Sequence, residues 1–429
     1  MRMCSDVRIL NDKTILQPYP MLNINFLLAD IGRRKCKYFS VIDLSDSYRQ
    51  IPLSKRSQEI ATMSTIVGDF SPTTCIFGLK NLPFVFTKLM DQIFYSIRGI
   101  YMDFYIDDLV LFDPTFDLHI QHIEEVLKRL RNANLTAKPM KTFLCKKTVQ
   151  FLGFTISKQG IATTDENIEK IKKFPIPVKQ KDVRAFLGIS NFYKRHIFQY
   201  GQIAQPLYEL TKKLEGPFKW TKEANSAFEI LKNKLTTAPI LAFPDIDSKE
   251  PLIVTVDTSS IVIGYVLSQR QRSDHTGKLI ERPICYGSTN LKGTQTKMGS
   301  TDLELTGVNK LDCWLRGVRF TLITDHKSLT YLIKKRMDEM KPAMARKIIF
   351  LQQYDFDIIH KHGVDIPHVD TLSRLVLDSN IDNQEDIEPV INNISVLSES
   401  DRPMDVGDLA LGNIDYSAVR QFQKMDIFF

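Results

Sequence analysis

Four short apolar runs in this chain end on an aspartate, and this pattern constrains its folding more than any other feature. Phe39-Ser40-Val41-Ile42 precedes Asp43, and Tyr105-Ile106 precedes Asp107-Asp108. Leu252 to Val256 precedes Asp257, and Phe320 to Thr324 precedes Asp325. The runs have strand length and are rich in β-branched and aromatic residues, so the chain must build sheets that carry carboxylates at strand ends. At 429 residues it has room for two to four domains with real cores. An apolar share of 43% and a charged share of 25% exclude wholesale disorder, a collagen-like repeat and a small disulfide scaffold. No apolar run is long enough to span a membrane, and Met1 to Asp6 contains no signal-type apolar segment. The six cysteines form no CxxC pair and read as reduced thiols of an intracellular protein rather than a zinc site.

Composition shifts divide the chain. Up to about residue 156, strand-like runs mix with helices; Leu118 to Asn132 has apolar residues at helical spacing, with Asn134 as its stop. Residues 157–244 are helical in pattern, punctuated by Pro175 and Pro177. Strand-like runs return over 245–375, with Gly264 inside one of them. Residues 376–429 lose aromatics and gain Asp, Glu, Asn and Ser, the composition of a solvated, flexible tail. That tail holds eleven acidic and three basic residues, a charge of −8; since the whole chain carries +7, residues 1–375 carry +15. A body so basic suits a polyanion such as nucleic acid, although lysine-rich helices on a solubilising surface would give the same balance. Arg33-Arg34-Lys35, Lys146-Lys147 and Lys334-Lys335-Arg336 are the basic runs.

Asp107 and Asp108 repel each other on a turn between two apolar runs. An Asp-Asp pair in a hairpin is often plain turn chemistry. A divalent cation is the other reading, because Mg²⁺ takes carboxylate oxygens together with substrate phosphates. Asp43, with Tyr48 five residues on, stands at a second strand end and would complete a set of three. Three carboxylates from two strand ends suit two-metal phosphoryl transfer.

The blocks around these acids resemble the reverse transcriptases of gypsy-class LTR retrotransposons. The resemblance runs in order through Arg2 to Asn11, Tyr19-Pro20-Met21-Leu22, Tyr38 to Leu44, Phe77-Gly78-Leu79-Lys80-Asn81 and Tyr105-Ile106-Asp107-Asp108. It continues through Phe151-Leu152-Gly153-Phe154 and Phe186-Leu187-Gly188, and extends over roughly residues 1–375. It implies that Asp43, Asp107 and Asp108 are polymerase metal ligands and that Leu44 offers its backbone carbonyl. Tyr48 would be the gate against a ribose 2′-OH, and Arg2 a contact to the incoming triphosphate. Phe151, Leu152, Gly153 and Phe154 would form the primer grip at the base of a helical thumb.

A second set comprises Asp257, Glu304, Asp325 and Asp370. Singly, each is an ordinary strand-end, helix or cap residue. Together they are similar to the ribonuclease H pattern of strand Asp, helix Glu, strand Asp and helix Asp, which implies two Mg²⁺ ions and cleavage of RNA in an RNA–DNA hybrid. Asp302 competes with Glu304; the resemblance favours the acid directly before Leu305. His360, His362 and His368 lack cysteine partners for zinc, and His119 and His122 lie on a helix with no assigned acidic partner. There is no Walker-type phosphate loop.

The chain departs from the family at Leu82, Pro83 and Phe84, where small residues are usual, and at Thr87, where glutamine is usual. Ile366-Pro367 replaces an asparagine ahead of the last acid. The chain starts inside the first family block, with no protease before it and no integrase zinc motif after it. It therefore reads as a fragment of a longer Pol polyprotein, or as a decayed or co-opted copy.

The expected fold is an α+β and α/β multidomain chain. A right-hand polymerase (fingers and palm over 1–156, helical thumb over 157–244) precedes a ribonuclease H-like α/β domain over 245–375 and an acidic tail over 376–429. The expected function is RNA-directed DNA synthesis coupled to hybrid-RNA cleavage; the alternative is a nucleic-acid-binding relic without polymerase activity. The expected cofactor is Mg²⁺, two ions per site, with Mn²⁺ as a substitute. The expected partners are an RNA template, a DNA primer, the RNA–DNA hybrid, deoxynucleoside triphosphates and other parts of a Pol polyprotein, with no membrane. The expected location is intracellular, in a cytoplasmic virus-like particle or the nucleus.

Overall fold

A computed structural model describes residues 5–212, 217–258, 262–273, 277–291, 298–325, 327–332, 346, 348–349 and 351–361. Arg2, His362, His368, Asp370, the 366–367 departure and the acidic tail lie outside the described residues.

The N-terminal part opens with helices α1 (Arg8–Lys13) and α2 (Ile24–Arg33), strand β1 (Tyr38–Asp43) and helix α3 (Lys55–Ile60). A small hairpin of β2 (Met63–Thr65) and β3 (Gly68–Phe70) and helix α4 (Leu82–Phe94) follow. Next come β4 (Met102–Tyr105), β5 (Asp108–Asp113), helix α5 (Phe116–Asn132) and β6 (Phe143–Lys146). Four of these strands form an antiparallel sheet in the order β4-β5-β1-β6.

Both faces of that sheet are covered, which explains why its strands read as continuous apolar runs. Along β1, Phe39 and Val41 enter one core with Leu27, Leu28 and Ile31 of α2. Ile42 enters the other core, with Phe86, Leu89 and Ile93 of α4 and Val126 and Leu130 of α5. In β5 the same period of two sends Val110 and Phe112 one way and Leu109 and Leu111 the other. Helix α5 ends two residues before Asn134, which takes a left-handed φ of 53° as the stop signal foresaw. Asp113 is the acidic partner that the sequence did not assign to the two histidines. Its Oδ2 accepts from His119 Nδ1 at 2.7 Å and its Oδ1 from His122 Nδ1 at 2.7 Å.

Strands β7 (Thr148–Phe151), β8 (Phe154–Ser157) and β9 (Gly160–Thr163) form a three-stranded antiparallel sheet. Strand β8 runs through residue 156, so this sheet lies across the expected division between palm and thumb. Strands of four residues separated by two-residue turns leave little periodicity to read in advance. Helices α6 (Asp165–Lys172), α7 (Gln180–Phe192), α8 (Tyr200–Ile203), α9 (Gln205–Glu209) and α10 (Lys222–Thr236) then make the helical segment. Val183, Phe186, Phe228, Leu231 and Leu235 of this segment share a core with Phe39 and Phe112 of the sheet.

The last part contains β10 (Leu252–Thr258), β11 (Val262–Arg272), β12 (Leu279–Asn290), α11 (Ser300–Asn309), α12 (Asp312–Leu315), β13 (Phe320–Thr324), α13 (Lys327–Leu332) and β14 (Phe356–His360). Its sheet order is β12-β11-β10-β13-β14. The β12–β11–β10 pairs are antiparallel, whereas β13 is parallel to both β10 and β14. This mixed sheet sits against the preceding segments. Ala242 N–H donates to the Pro283 carbonyl at 2.7 Å, and Arg33 donates to the Cys313 carbonyl at 2.7 Å. The described chain thus has the expected α+β and α/β multidomain order: an antiparallel sheet covered on both faces, a helical segment, and a mixed five-stranded sheet with helices.

Candidate active sites

The first acid set is assembled by strand register. Asp43 and Asp108 are direct partners in the antiparallel β1–β5 pair, so both side chains leave the same face. Asp107 sits in the two-residue turn between β4 and β5, where Ile106 takes a φ of +58°. A β-branched residue in that region is an outlier held by its surroundings. The turn is tied down on one side by Leu44 N–H, which donates to the Asp107 carbonyl at 3.2 Å. Ser47 Oγ donates to Asp107 Oδ2 at 3.3 Å, and Lys141 Nζ donates to Asp43 Oδ2 at 3.0 Å. Burial pushes the Asp108 carboxyl up to about 6; Asp107 and Asp43 push the same way, and Lys141 pulls against them.

Tyr48 stands beside this set, with its ring edge-on to Phe77 at 5.8 Å and to Phe86 at 5.6 Å. Burial, and then the charge of Asp107, raise its phenol above the usual range. Leu82 is only 1% exposed, so its bulk goes into the core rather than the cleft, while Thr87 is buried and bonds the Pro83 carbonyl of its own helix. Phe84 remains half-exposed.

The Phe151–Phe154 segment is the β7–β8 hairpin, with Leu152 at φ 47° and Gly153 at φ 78° in its turn. Two left-handed residues in a two-residue loop match the twist of the flanking strands. Tyr193 donates its hydroxyl to the Gly153 carbonyl at 2.8 Å, and Phe154 stacks on Phe192 with centroids 5.1 Å apart. The hairpin is therefore fastened to the C-terminal end of α7.

The second set gathers at the ends of β10 and β13. Leu252, Val254 and Val256 are buried on one face, and Asp257 follows, exposed. Helix α11 lies close over β10: a Cβ on Gly307 would stand 2.8 Å from Val256 Cγ1. One turn earlier on that helix face, Glu304 is 1% exposed and accepts from Thr324 Oγ1 at 2.6 Å. Burial pushes Glu304 up to about 8, with Asp325 and Asp257 adding to the rise. Asp257 and Asp325 thus both act on Glu304. Asp302, the rival acid, is half-buried two residues away. His360 Nε2 donates to the Asp325 carbonyl at 3.1 Å, and Gln199 Nε2 donates to Asp257 Oδ2 at 3.1 Å.

Lys141, Ser47, Thr324 and Gln199 were missed by sequence reasoning. None belongs to a motif; each meets its acid through tertiary folding, Gln199 across 58 residues of chain. Arg2 and Asp370 cannot be compared with their expected roles, since both fall outside the described residues. Among the described residues, no three acidic, histidine or cysteine side chains stand close enough to form a ready-made metal cage.

Two carboxylate sets stand in separate sheets, one at the β1–β5 strand ends of an antiparallel sheet and one at the ends of β10 and β13 of a mixed sheet, with a helix glutamate over it. Residues 1–156 match the family model described as reverse transcriptase (RNA-dependent DNA polymerase). Residues 247–354 match the RNase H-like domain found in reverse transcriptase. The chain is 31% identical over 389 residues to the retrovirus-related Pol polyprotein from transposon gypsy of Drosophila melanogaster, over 87% of this chain and 36% of that polyprotein. It is 30% identical over 423 residues to that from transposon opus of the same organism, over 94% of this chain and 41% of the relative. It belongs with the reverse transcriptase and RNase H-like segments of retrotransposon Pol polyproteins, and spans less than half the length of these relatives. A foamy viral protease-reverse transcriptase in complex with RNA/DNA hybrid shares the fold at TM-score 0.67 and 23% identity, over 90% of this chain and 51% of the other. A second such structure, a dRH form in complex with double-stranded DNA, matches at TM-score 0.69 and 25% identity, over 84% of this chain and 62% of the other.

Proposed function

We propose that this chain catalyses RNA-directed DNA synthesis at Asp43, Asp107 and Asp108, and cleaves the RNA of an RNA–DNA hybrid at Asp257, Glu304, Asp325 and Asp370. The observation that carries this reading is the presence of two separate acid sets, each strained by its own like charges and each in a domain of matching family. Burial first, and then the neighbouring acids, push Asp108 and Glu304 above the usual carboxylate range.

Hard oxygen donors of this kind fit Mg²⁺, or Mn²⁺ in its place. When bound, such ions supply positive charge to the phosphoryl oxygens and activate the attacking oxygen. The chain's own residues do the positioning. Lys141 balances Asp43, Ser47 and the Leu44 N–H fix Asp107, and Thr324 fixes Glu304. Tyr48 is assigned the space beside the nucleotide sugar, and Arg2 a contact to the triphosphate. The Phe151–Phe154 hairpin is assigned the primer.

The proposed partners are an RNA template, a DNA primer, the hybrid and deoxynucleoside triphosphates, with other Pol segments adjoining in an intracellular particle or the nucleus. The net positive charge of residues 1–375 supports an electrostatic share of nucleic-acid binding. Purified chain, a primed RNA template, four deoxynucleotides and Mg²⁺ test the reading. Extension of the primer together with shortening of the RNA is expected. Retention of the hybrid with neither reaction contradicts it.

A further inference from the structure

Gln199 belongs to the helical segment, yet its side chain ends on an acid of the following domain. It takes a left-handed φ of 52°, uncommon for a residue with a side chain. The backbone around it is pinned from several directions. Phe198 packs against Val266, Leu241 and Tyr286. The Gly201 N–H donates to Ser288 Oγ at 2.8 Å, and the Tyr200 hydroxyl shares a hydrogen bond with Ser190 Oγ at 2.8 Å. Gln199 O in turn accepts from Gln202 N–H at 3.0 Å and Ile203 N–H at 3.1 Å, which starts α8.

Held this way, the carboxamide reaches Asp257 Oδ2 at 3.1 Å. Gly264 is the register partner of Asp257 in the β10–β11 ladder. The glutamine side chain lies alongside it: Gln199 Cγ is 3.8 Å from where a Cβ on Gly264 would stand, an ordinary van der Waals contact. A carboxylate that takes an N–H on one oxygen keeps the rest of its lone pairs in a fixed direction, and such outer contacts orient metal-binding groups.

We propose that Gln199 is a positioning residue for the ribonuclease H-like site, so that the helical segment sets the metal affinity of an acid in the next domain. This rests on the reading of Asp257 as a metal-binding acid. The intact chain carrying Asp107→Asn and Asp108→Asn, which leaves the second acid set as the metal site, is titrated with Mn²⁺ and followed by electron paramagnetic resonance of the free ion. Gln199→Met keeps the length of the side chain and removes its donor; Gln199→Ala removes both. Either change is expected to weaken Mn²⁺ binding about tenfold, and to raise the Mg²⁺ concentration for half-maximal hybrid cleavage by the same factor. Primer extension by a chain carrying Gln199→Met alone should be unchanged. Unchanged Mn²⁺ binding and Mg²⁺ dependence in Gln199→Met would overturn the inference. So would a loss of binding that merely tracks a fall in melting temperature, since the hydrogen bond would then serve the fold. Asp257→Asn separates the two levels. If it still binds Mn²⁺ and cuts hybrid, the reading of the site fails; if it is inactive while Gln199→Met behaves as wild type, only the role of Gln199 fails.

Discussion

Asp43 and Asp108 stand directly opposite each other across the antiparallel β1–β5 pair. Like charges so placed destabilise a sheet. The Lys141 ammonium at 3.0 Å from Asp43 offsets this only in part, because its side chain is 58% exposed and screened. Burial and the neighbouring acids lift Asp108 to about 6, above its ordinary 3.8. The stability tied to this group is therefore fully present below pH 3.8 and is lost as pH rises through about 6.

A divalent cation should reverse that loss. At pH 7.5, Mg²⁺ at a hundred times its dissociation constant should stabilise the chain by ~2.7 kcal/mol, and EDTA should remove the gain. At pH 5, where Asp108 holds its proton, the gain should shrink. Calorimetric melting with and without Mg²⁺ at the two pH values checks this, and equal gains at both would contradict it.

Glu304 gives the second set a similar pH signature. Its carboxyl is pushed up to about 8 from 4.5, mainly by burial. The folded state retains a proton that the unfolded chain gives up, so the associated stability is present below pH 4.5 and lost as pH rises through about 8. Without metal, Glu304→Gln should raise the melting temperature at pH 8.5 by a few degrees and change it little at pH 4, while abolishing hybrid cleavage. A lower melting temperature at pH 8.5 would show that the carboxylate stabilises the fold.

His196 acts in the opposite direction. It is fully buried beside Arg195, with Nδ1 3.3 Å from the Pro239 carbonyl, and burial pushes it down to about 3. The stability of the neutral ring is present above pH 6.5 and lost as pH falls toward 3, by ~1.4 kcal/mol per pH unit at most. His196→Phe should flatten the fall in urea midpoint between pH 7 and pH 5. An identical fall in the variant would assign the acid sensitivity elsewhere.

Gly160 tests how the β7–β9 sheet is tied to the chain at Leu241, after α10. Its φ is +139°, and a Cβ there would strike the Leu241 carbonyl oxygen. Leu241 N–H donates to the Ile161 carbonyl at 2.9 Å, and Ile161 N–H to the Leu241 carbonyl at 2.8 Å. Gly160→Ala should cost about 3 kcal/mol by equilibrium denaturation, because both backbone strain and a backbone clash are introduced. A cost below about 1 kcal/mol would mean that the 157–160 turn relaxes freely.

Much of this could be read before the structure was seen. Apolar runs ending on Asp43, Asp257 and Asp325 are strands with the acids at their ends, and the helical spacing of Leu118 to Asn132 is α5. What joins the acids was not legible. The Asp43–Asp108 opposition follows from register, and register depends on both strands and their cores rather than on either run alone. Lys141, Thr324 and Gln199 are ordinary residues in sequence and meet their acids only through the fold. Leu82 stands where the family usually has a small residue, yet the helix turns that side chain into the core, a direction its residue type does not reveal.

The central claim is that one chain carries two separable reactions. One preparation each of wild type, Asp108→Asn and Asp257→Asn, given the same primed RNA template, deoxynucleotides and Mg²⁺, tests it most directly. Asp108→Asn should lose primer extension by ~10²–10³-fold or more and still cut the RNA of the hybrid. Asp257→Asn should still extend the primer and leave the RNA intact. Loss of both reactions in either variant, or of neither, would contradict the account.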